Sequence, residues 1–97
     1  MAAPADYAAA VSSRLERFKT YPRQARLQRQ EGTVLVRFRV NAEGGVVSCT
    51  IAGGSGYAQL DEEACALVHR AVPLPLPPGT GEQGSLELTV PVRFFLN

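Results

Sequence analysis

The chain has 97 residues, with ten Lys and Arg against nine Asp and Glu, a net charge of +1 and 45% hydrophobic residues. That length allows one domain, and ordinary apolar content with near-zero charge argues against a disordered chain. No run nears the ~18 apolar residues of a membrane span. Residues 1–5 read as a disordered tail with neither the basic nor the apolar region of a signal peptide.

Charge is uneven along the chain. Residues 14–39 carry eight basic groups against Glu16 and Glu31, a net +6, while residues 40–97 carry two against six, a net −4. A basic half can meet an acidic partner, nucleic acid or anionic lipid; the simpler reading is a solvated face on two helices.

Asp6 reads as an N-cap, and Tyr7, Val11, Leu15 and Phe18 then follow at helical spacing, predicting an amphipathic helix over 7–19. Pro22 disfavours a helical Tyr21 and opens a short second helix from Arg23 to about Arg29, ended by Glu31-Gly32. Residues 6–30 thus form an N-terminal helical part, followed by a ββαβ core over 32–97. Val34, Val36, Phe38 and Val40 alternate with Leu35, Arg37 and Arg39, as in a half-buried strand. Asn41 to Gly45 is turn chemistry. A second strand, Val46 to Ile51, puts Val47, Cys49 and Ile51 on one side.

Gly53 to Gly56 reads as a turn, since it lacks the Lys and Ser/Thr of a phosphate loop. Leu60, Ala64, Leu67, Val68 and Ala71 make the apolar face of a helix over 60–72, with Asp61, Glu62 and Glu63 in its first turn. The Pro-rich run from Pro73 to Gly79 should be extended, followed by a Gly-rich loop to Ser85. Leu86, Leu88, Val90, Val92, Phe94 and Leu96 share one face of the last strand. The fold class is α+β, ordered α-α-β-β-α-β, with a three-stranded antiparallel sheet of strand order 2-1-3 covered on one face by helices.

Pro91 within the last strand is tolerated at a sheet edge with its nitrogen turned outward. The same parity turns the backbone of Thr89, Arg93 and Phe95 outward, while Val90, Val92 and Phe94 bond the neighbour. The resulting open edge is either a hazard that Pro91 blunts or a docking rail for another strand.

The run Tyr21-Pro22-x-x-Ala25, then Glu31-Gly32-x-Val34-x-Val36-x-Phe38-x-Val40-x-x-x-Gly44-x-Val46, resembles the C-terminal domain of TonB energy-transducing proteins. Ser55-Gly56 with Leu60-Asp61-x-x-Ala64, and the closing Val90-Pro91-Val92-x-Phe94, extend the resemblance over residues 20–96. The resemblance implies a periplasmic domain of an inner-membrane-anchored protein of a Gram-negative bacterium. Its partners would be the TonB box of outer-membrane TonB-dependent transporters, bound by β-strand addition, and ExbB and ExbD, reached through an N-terminal region. On this reading the chain is an excised domain with Met1 an added start. The implied peptide-binding set is Thr20, Tyr21 and Pro22 with Leu88, Thr89, Val90, Pro91, Val92, Arg93, Phe94 and Phe95. The domain would be a monomer or a strand-swapped dimer, would transmit proton-motive energy for uptake of a cargo such as a siderophore, and would bind no nucleic acid.

Cys49 and Cys65 depart from the family pattern; in an oxidising periplasm they would form a disulfide, the alternative being two buried thiols. The Pro-Leu-Pro-Leu-Pro-Pro stretch resembles the C-terminal domain of TolA, which makes a Tol-system role the neighbouring alternative, disfavoured by the Tyr-Pro and Ser-Gly…Leu-Asp patterns. A small acylphosphatase-like enzyme is the alternative from another class, but its Arg-bearing phosphate loop is not visible. No catalytic set, cofactor or metal site is expected: His69 is the single histidine and falls on the solvent side of its helix.

Overall fold

The computed structural model of the chain describes residues 5–75 and 85–96. Six elements follow one another: α1 (Ala5–Phe18), α2 (Arg23–Leu27), β1 (Gly32–Asn41), β2 (Val46–Gly53), α3 (Ala58–Arg70) and β3 (Ser85–Phe94). The strands form one antiparallel sheet in the order β2-β1-β3, as the alternation and the crossover rule require.

The core lies on one face of that sheet. Val34, Val36, Phe38 and Val40 of β1 and Leu86, Leu88, Val90, Val92 and Phe94 of β3 are buried there. They pack against Tyr7, Val11 and Leu15 of α1, Ala25 of α2, and Leu60, Ala64, Leu67 and Val68 of α3. Each of these larger side chains contributes about 1.5–3 kcal/mol through burial. Phe18 leaves the expected stripe: it is 37% exposed, and the Arg14 guanidinium lies 5.0 Å from its ring centroid.

Helix ends differ from expectation for local reasons. Asp6 lies inside the first turn of α1, which Ala5 already opens, rather than ahead of it. Pro22 precedes α2 as its N-cap, with extended backbone, because its ring fixes φ near −58° while ψ stays at 134°. Arg29, not Glu31-Gly32, ends α2. It adopts φ +54°, its N–H donates to the Arg26 carbonyl (3.1 Å), and the Gln30 N–H reaches the Ala25 carbonyl (2.8 Å). This is the two-bond C-terminal closure usually built on glycine. α3 starts two residues early, so of the three acids Asp61 alone is in its first turn. Glu63 instead pairs with Arg70 one face along the helix.

Two arginines, Arg14 of the basic half and Arg70 of α3, tie the helices to each other. Arg14 Nε donates to the Ala71 carbonyl at the end of α3, and Arg70 donates to the Phe18 carbonyl at the end of α1. Each puts a cation on an unsatisfied helix C-terminus. Arg37 and Arg39 are likewise used locally, on the exposed sheet face, against Thr89 and Glu87 directly opposite in β3.

The hairpin spans Gly32 to Gly53 and is irregular on its β2 side. Register slips between Val40↔Val46 and Arg39↔Ser48, so Val47 is an extra residue. A bulge reverses the side-chain alternation locally. Val47 is therefore turned out and 59% exposed, instead of sharing a side with Cys49 and Ile51. Cys49 packs against the core and is joined to Cys65 of α3, with Cα atoms 6.1 Å apart, so β2 is clamped to the helix above it.

The chain after α3 does not run simply extended. A bend at Pro73, with a cis Val72–Pro73 peptide, turns Leu74 into the core. The Leu74 N–H donates to the Gly44 carbonyl at 2.8 Å, and a Cβ on Gly44 (φ +86°) would stand 2.5 Å from the Leu74 oxygen. Glycine is required there on both counts. The expectations for Leu76 to Gly84 and for residues 1–4 lie outside the described residues.

Candidate functional site

β3 is the outer strand beside β1, and its pairing runs without a slip from Ser85↔Asn41 to Phe94↔Gly32, through Leu35↔Pro91. An uninterrupted ladder across a proline requires that the proline nitrogen face away from the neighbouring strand. Backbone groups alternate sides along a strand, so Thr89 and Arg93 share the orientation of Pro91. The structure holds an independent mark of this parity: the Arg93 carbonyl accepts a hydrogen bond from Lys19 Nζ at 2.7 Å, outside the sheet. Among the described residues no strand pairs with this outer edge.

Side chains along β3 divide by face. Leu88, Val90, Val92 and Phe94 are buried beneath the sheet and, by the same parity, turn their backbone groups toward β1, so they offer an outside strand neither side chain nor backbone. Thr89, Pro91, Arg93 and Phe95 are exposed, Phe95 by 59%. Past the strand, the Leu96 N–H is held by the Glu31 carboxylate at 2.7 Å, which fixes the end of β3 to the start of β1.

The Tyr-Pro segment stands beside this end. Tyr21 packs edge-on against the Phe94 ring, with centroids 5.5 Å apart and planes at 84°, the geometry that ring quadrupoles favour. Its hydroxyl donates to the Gln30 carbonyl. Burial, with a smaller contribution from the Glu31 charge, raises the pKa of Tyr21. Thr20 is exposed and Pro22 half-buried. Structure thus brings the Tyr-Pro segment to the C-terminal end of β3, around Phe94.

Sequence reasoning missed the α1 side of this site. A cleft of about 550 Å³ runs between α1 and the β3 edge, lined by Ser12, Glu16, Lys19, Pro91, Arg93 and Phe95. Its available signal was small: a lysine one position before Thr20-Tyr21, three residues after Glu16. Only the crossing of α1 over β3 gives that spacing a meaning.

The remaining family-like motifs have structural jobs. Asp61 Oδ1 accepts from both the N–H and the Oγ of Ser55, each at 2.9 Å, and so holds the Ser-Gly turn onto α3. A Cβ on Gly32 would lie 3.0 Å from that of Ser55, so the Glu-Gly and Ser-Gly motifs touch. His69 is exposed, and among the described residues no three His, Cys, Asp or Glu side chains gather to hold a metal ion. No helix among them is long and apolar enough to cross a membrane.

Comparison with known proteins gives a consistent picture. The family model for the Gram-negative bacterial TonB protein C-terminal region matches residues 18–96. Protein TonB of Pseudomonas putida is 41% identical over 85 residues, 86% of this chain and 35% of that protein. Protein TonB of Pasteurella multocida (strain Pm70) is 36% identical over 89 residues, 91% of this chain and 33% of that protein. The chain thus spans about a third of the length of these curated relatives. Among solved structures, the NMR structure of the Helicobacter pylori TonB C-terminal domain (residues 179–285) superposes with a TM-score of 0.80, covering 95% of this chain and 82% of that one; at 23% identity it speaks to the fold alone. The HasB C-terminal domain is 40% identical with a TM-score of 0.59, covering 94% of this chain and 76% of that one.

Proposed function

This chain belongs to the family of Gram-negative bacterial TonB C-terminal domains, and from that premise we propose that it is the receptor-gripping end of a TonB-type energy transducer. TonB proteins are not enzymes, which removes the acylphosphatase-like alternative. In this reading the domain stands in the periplasm, and a segment ahead of it anchors the protein in the inner membrane and meets ExbB and ExbD. The domain takes the TonB box of an outer-membrane transporter as an added strand along β3.

The observation that carries the reading is the outward-facing backbone of β3 from Thr89 to Arg93, unpaired with any strand among the described residues. Strand addition uses main-chain hydrogen bonds, each worth about 0.5–1.5 kcal/mol net. A ladder of them loaded together resists pulling while tolerating varied side chains, which suits an adaptor serving several receptors. Tyr21 and Pro22 stand at the end of the strand where the incoming chain would leave the sheet. Exposed Phe95 and Pro91 offer apolar contacts for the side chains that alternate onto the open face.

Titration of isotope-labelled protein with a synthetic transporter box peptide tests this. Amide shifts should concentrate at residues 89–95 and around Tyr21. Shifts confined to β2, or none, would remove the mechanism.

A further inference from the structure

The outward half of β3 offers an incoming strand the N–H and C=O of Thr89, the C=O of Pro91, and the N–H and C=O of Arg93. One of these is already engaged. Lys19, the residue after α1, places its ammonium 2.7 Å from the Arg93 carbonyl. The same ammonium lies 3.1 Å from the Glu16 carboxylate and 5.9 Å from the Phe94 ring centroid, with the Lys19 side chain 24% exposed. Three attractions of different kinds thus hold a side chain that on a free surface would move among many rotamers.

The Arg93 carbonyl is the last outward acceptor of the strand before Phe95. A backbone that continues pairing to this rung must run where the Lys19 ammonium now sits. Lysine at a sheet edge is also a common guard against unwanted strand pairing. We propose that Lys19 is a latch on the binding edge: in the free domain it covers the Arg93 carbonyl, and an incoming strand displaces it onto Glu16 to complete the last rung. This rests on strand addition along β3 and adds to it a residue that sets how far a partner may zip. A strand that stops at Pro91 leaves the latch shut; a longer one must open it. Glu16 makes opening cheap, because the displaced ammonium keeps one partner of opposite charge. Ser12 and Glu16, which form the other wall of the cleft, belong to α1 and precede residues 18–96, the stretch that the family model matches.

Two variants separate a latch from a mere tie between α1 and the sheet. Lys19→Met keeps an unbranched stem over Phe94 and removes the donor, whereas Lys19→Arg keeps a donor. With a transporter box peptide long enough to reach Arg93, Lys19→Met should bind about three- to tenfold tighter, as expected for removing one competing charge-assisted bond at a partly exposed site. Lys19→Arg should bind like the parent chain. In the parent chain, the ε-methylene resonances of Lys19 should move at peptide saturation together with the amides of 89–95. Without peptide, Lys19→Met should self-associate at lower concentration in sedimentation, its edge being free. Equal or weaker binding by Lys19→Met, or unmoved Lys19 resonances while the β3 amides shift, would overturn the latch. If the β3 amides do not move at all, strand addition itself fails; the latch is then judged on sedimentation, where unchanged self-association of Lys19→Met overturns it.

Discussion

Arg29 stands where a helix C-terminus asks for glycine. Its φ of +54° is left-handed, and a side chain there costs roughly 1–2 kcal/mol through the clash of Cβ with the following carbonyl oxygen. The two closing hydrogen bonds from Arg29 and Gln30 nevertheless form, so the surroundings impose the conformation. Arg29→Gly should therefore stabilise the domain by about 0.5–1 kcal/mol, the relief of strain being partly offset by greater freedom in the unfolded chain. A urea midpoint read by circular dichroism measures it; no rise would mean the turn relaxes without cost. Arginine gives no local warning of this role, because the left-handed position is fixed by where β1 must begin, not by the residue occupying it. Val47 is a similar case: strict alternation turns it inward, and only the pairing with Arg39 and Val40 reveals the extra residue.

Among the elements, β3 makes the sharpest prediction, since its two edges do different work. Thr89 turns its N–H outward and Val90 turns its own toward β1, where Val90 sits opposite Val36. Thr89→Pro should leave the domain folded, at a cost near 1 kcal/mol for backbone restriction, while abolishing peptide-induced shifts along β3. Val90→Pro should cost about 3 kcal/mol or more, because it breaks the ladder to β1. Thermal unfolding and peptide titration of the pair check the parity directly; equal damage from both would refute it. The β2–α3 clamp is a second element-scale feature. Cys49 and Cys65 are separated by 16 positions, and closing such a loop is worth about 3 kcal/mol in the chain-entropy model. The double variant Cys49→Ala/Cys65→Ala should lose about 2–4 kcal/mol in chemical denaturation yet keep its β3 response to peptide, since the clamp sits on the opposite edge of the sheet. Loss of binding with full stability would contradict that separation.

At the scale of the molecule, two tyrosines fasten distant segments. Tyr7 of α1 donates its hydroxyl to the Pro75 carbonyl at 2.8 Å, and Tyr21 joins the Gln30 carbonyl to the Phe94 ring. Burial raises the pKa of both above the ordinary 10.0, with Glu31 adding to the effect at Tyr21. A phenol whose folded pKa is raised stays protonated in the native state while the unfolded chain ionises. Its stabilising share is therefore complete below about pH 10 and is lost as pH climbs through the folded value. Unfolding free energy should hold up to that pH and then fall, and Tyr7→Phe/Tyr21→Phe should show a shallower fall. An identical alkaline slope in the double variant would assign the loss to other groups. Both tyrosines were legible as apolar residues, one on the stripe of α1 and one in the Tyr-Pro motif. Their hydrogen-bond partners were not, because they lie 68 and 9 positions away and neither partner is a side chain.

The architecture follows from the amino-acid pattern alone. Period-two and period-3.6 burial, turn chemistry at Asn41 to Gly45, and the right-handed crossover suffice for α-α-β-β-α-β and strand order 2-1-3, because each depends on local patterning or on chain chirality. The open edge of β3 was legible too, since one proline without an N–H sets the parity of its neighbours. What stands against that edge is set by packing between distant segments. Glu16 comes from α1 and Lys19 from the position just after it, and Arg93 lies 74 positions from the lysine that caps its carbonyl. Contacts over such separations arise from how helices cross a twisted sheet, and no periodicity within a segment encodes the crossing. The bulge at Val47 and the left-handed Arg29 belong to the same class: adjustments by which regular elements are made to meet.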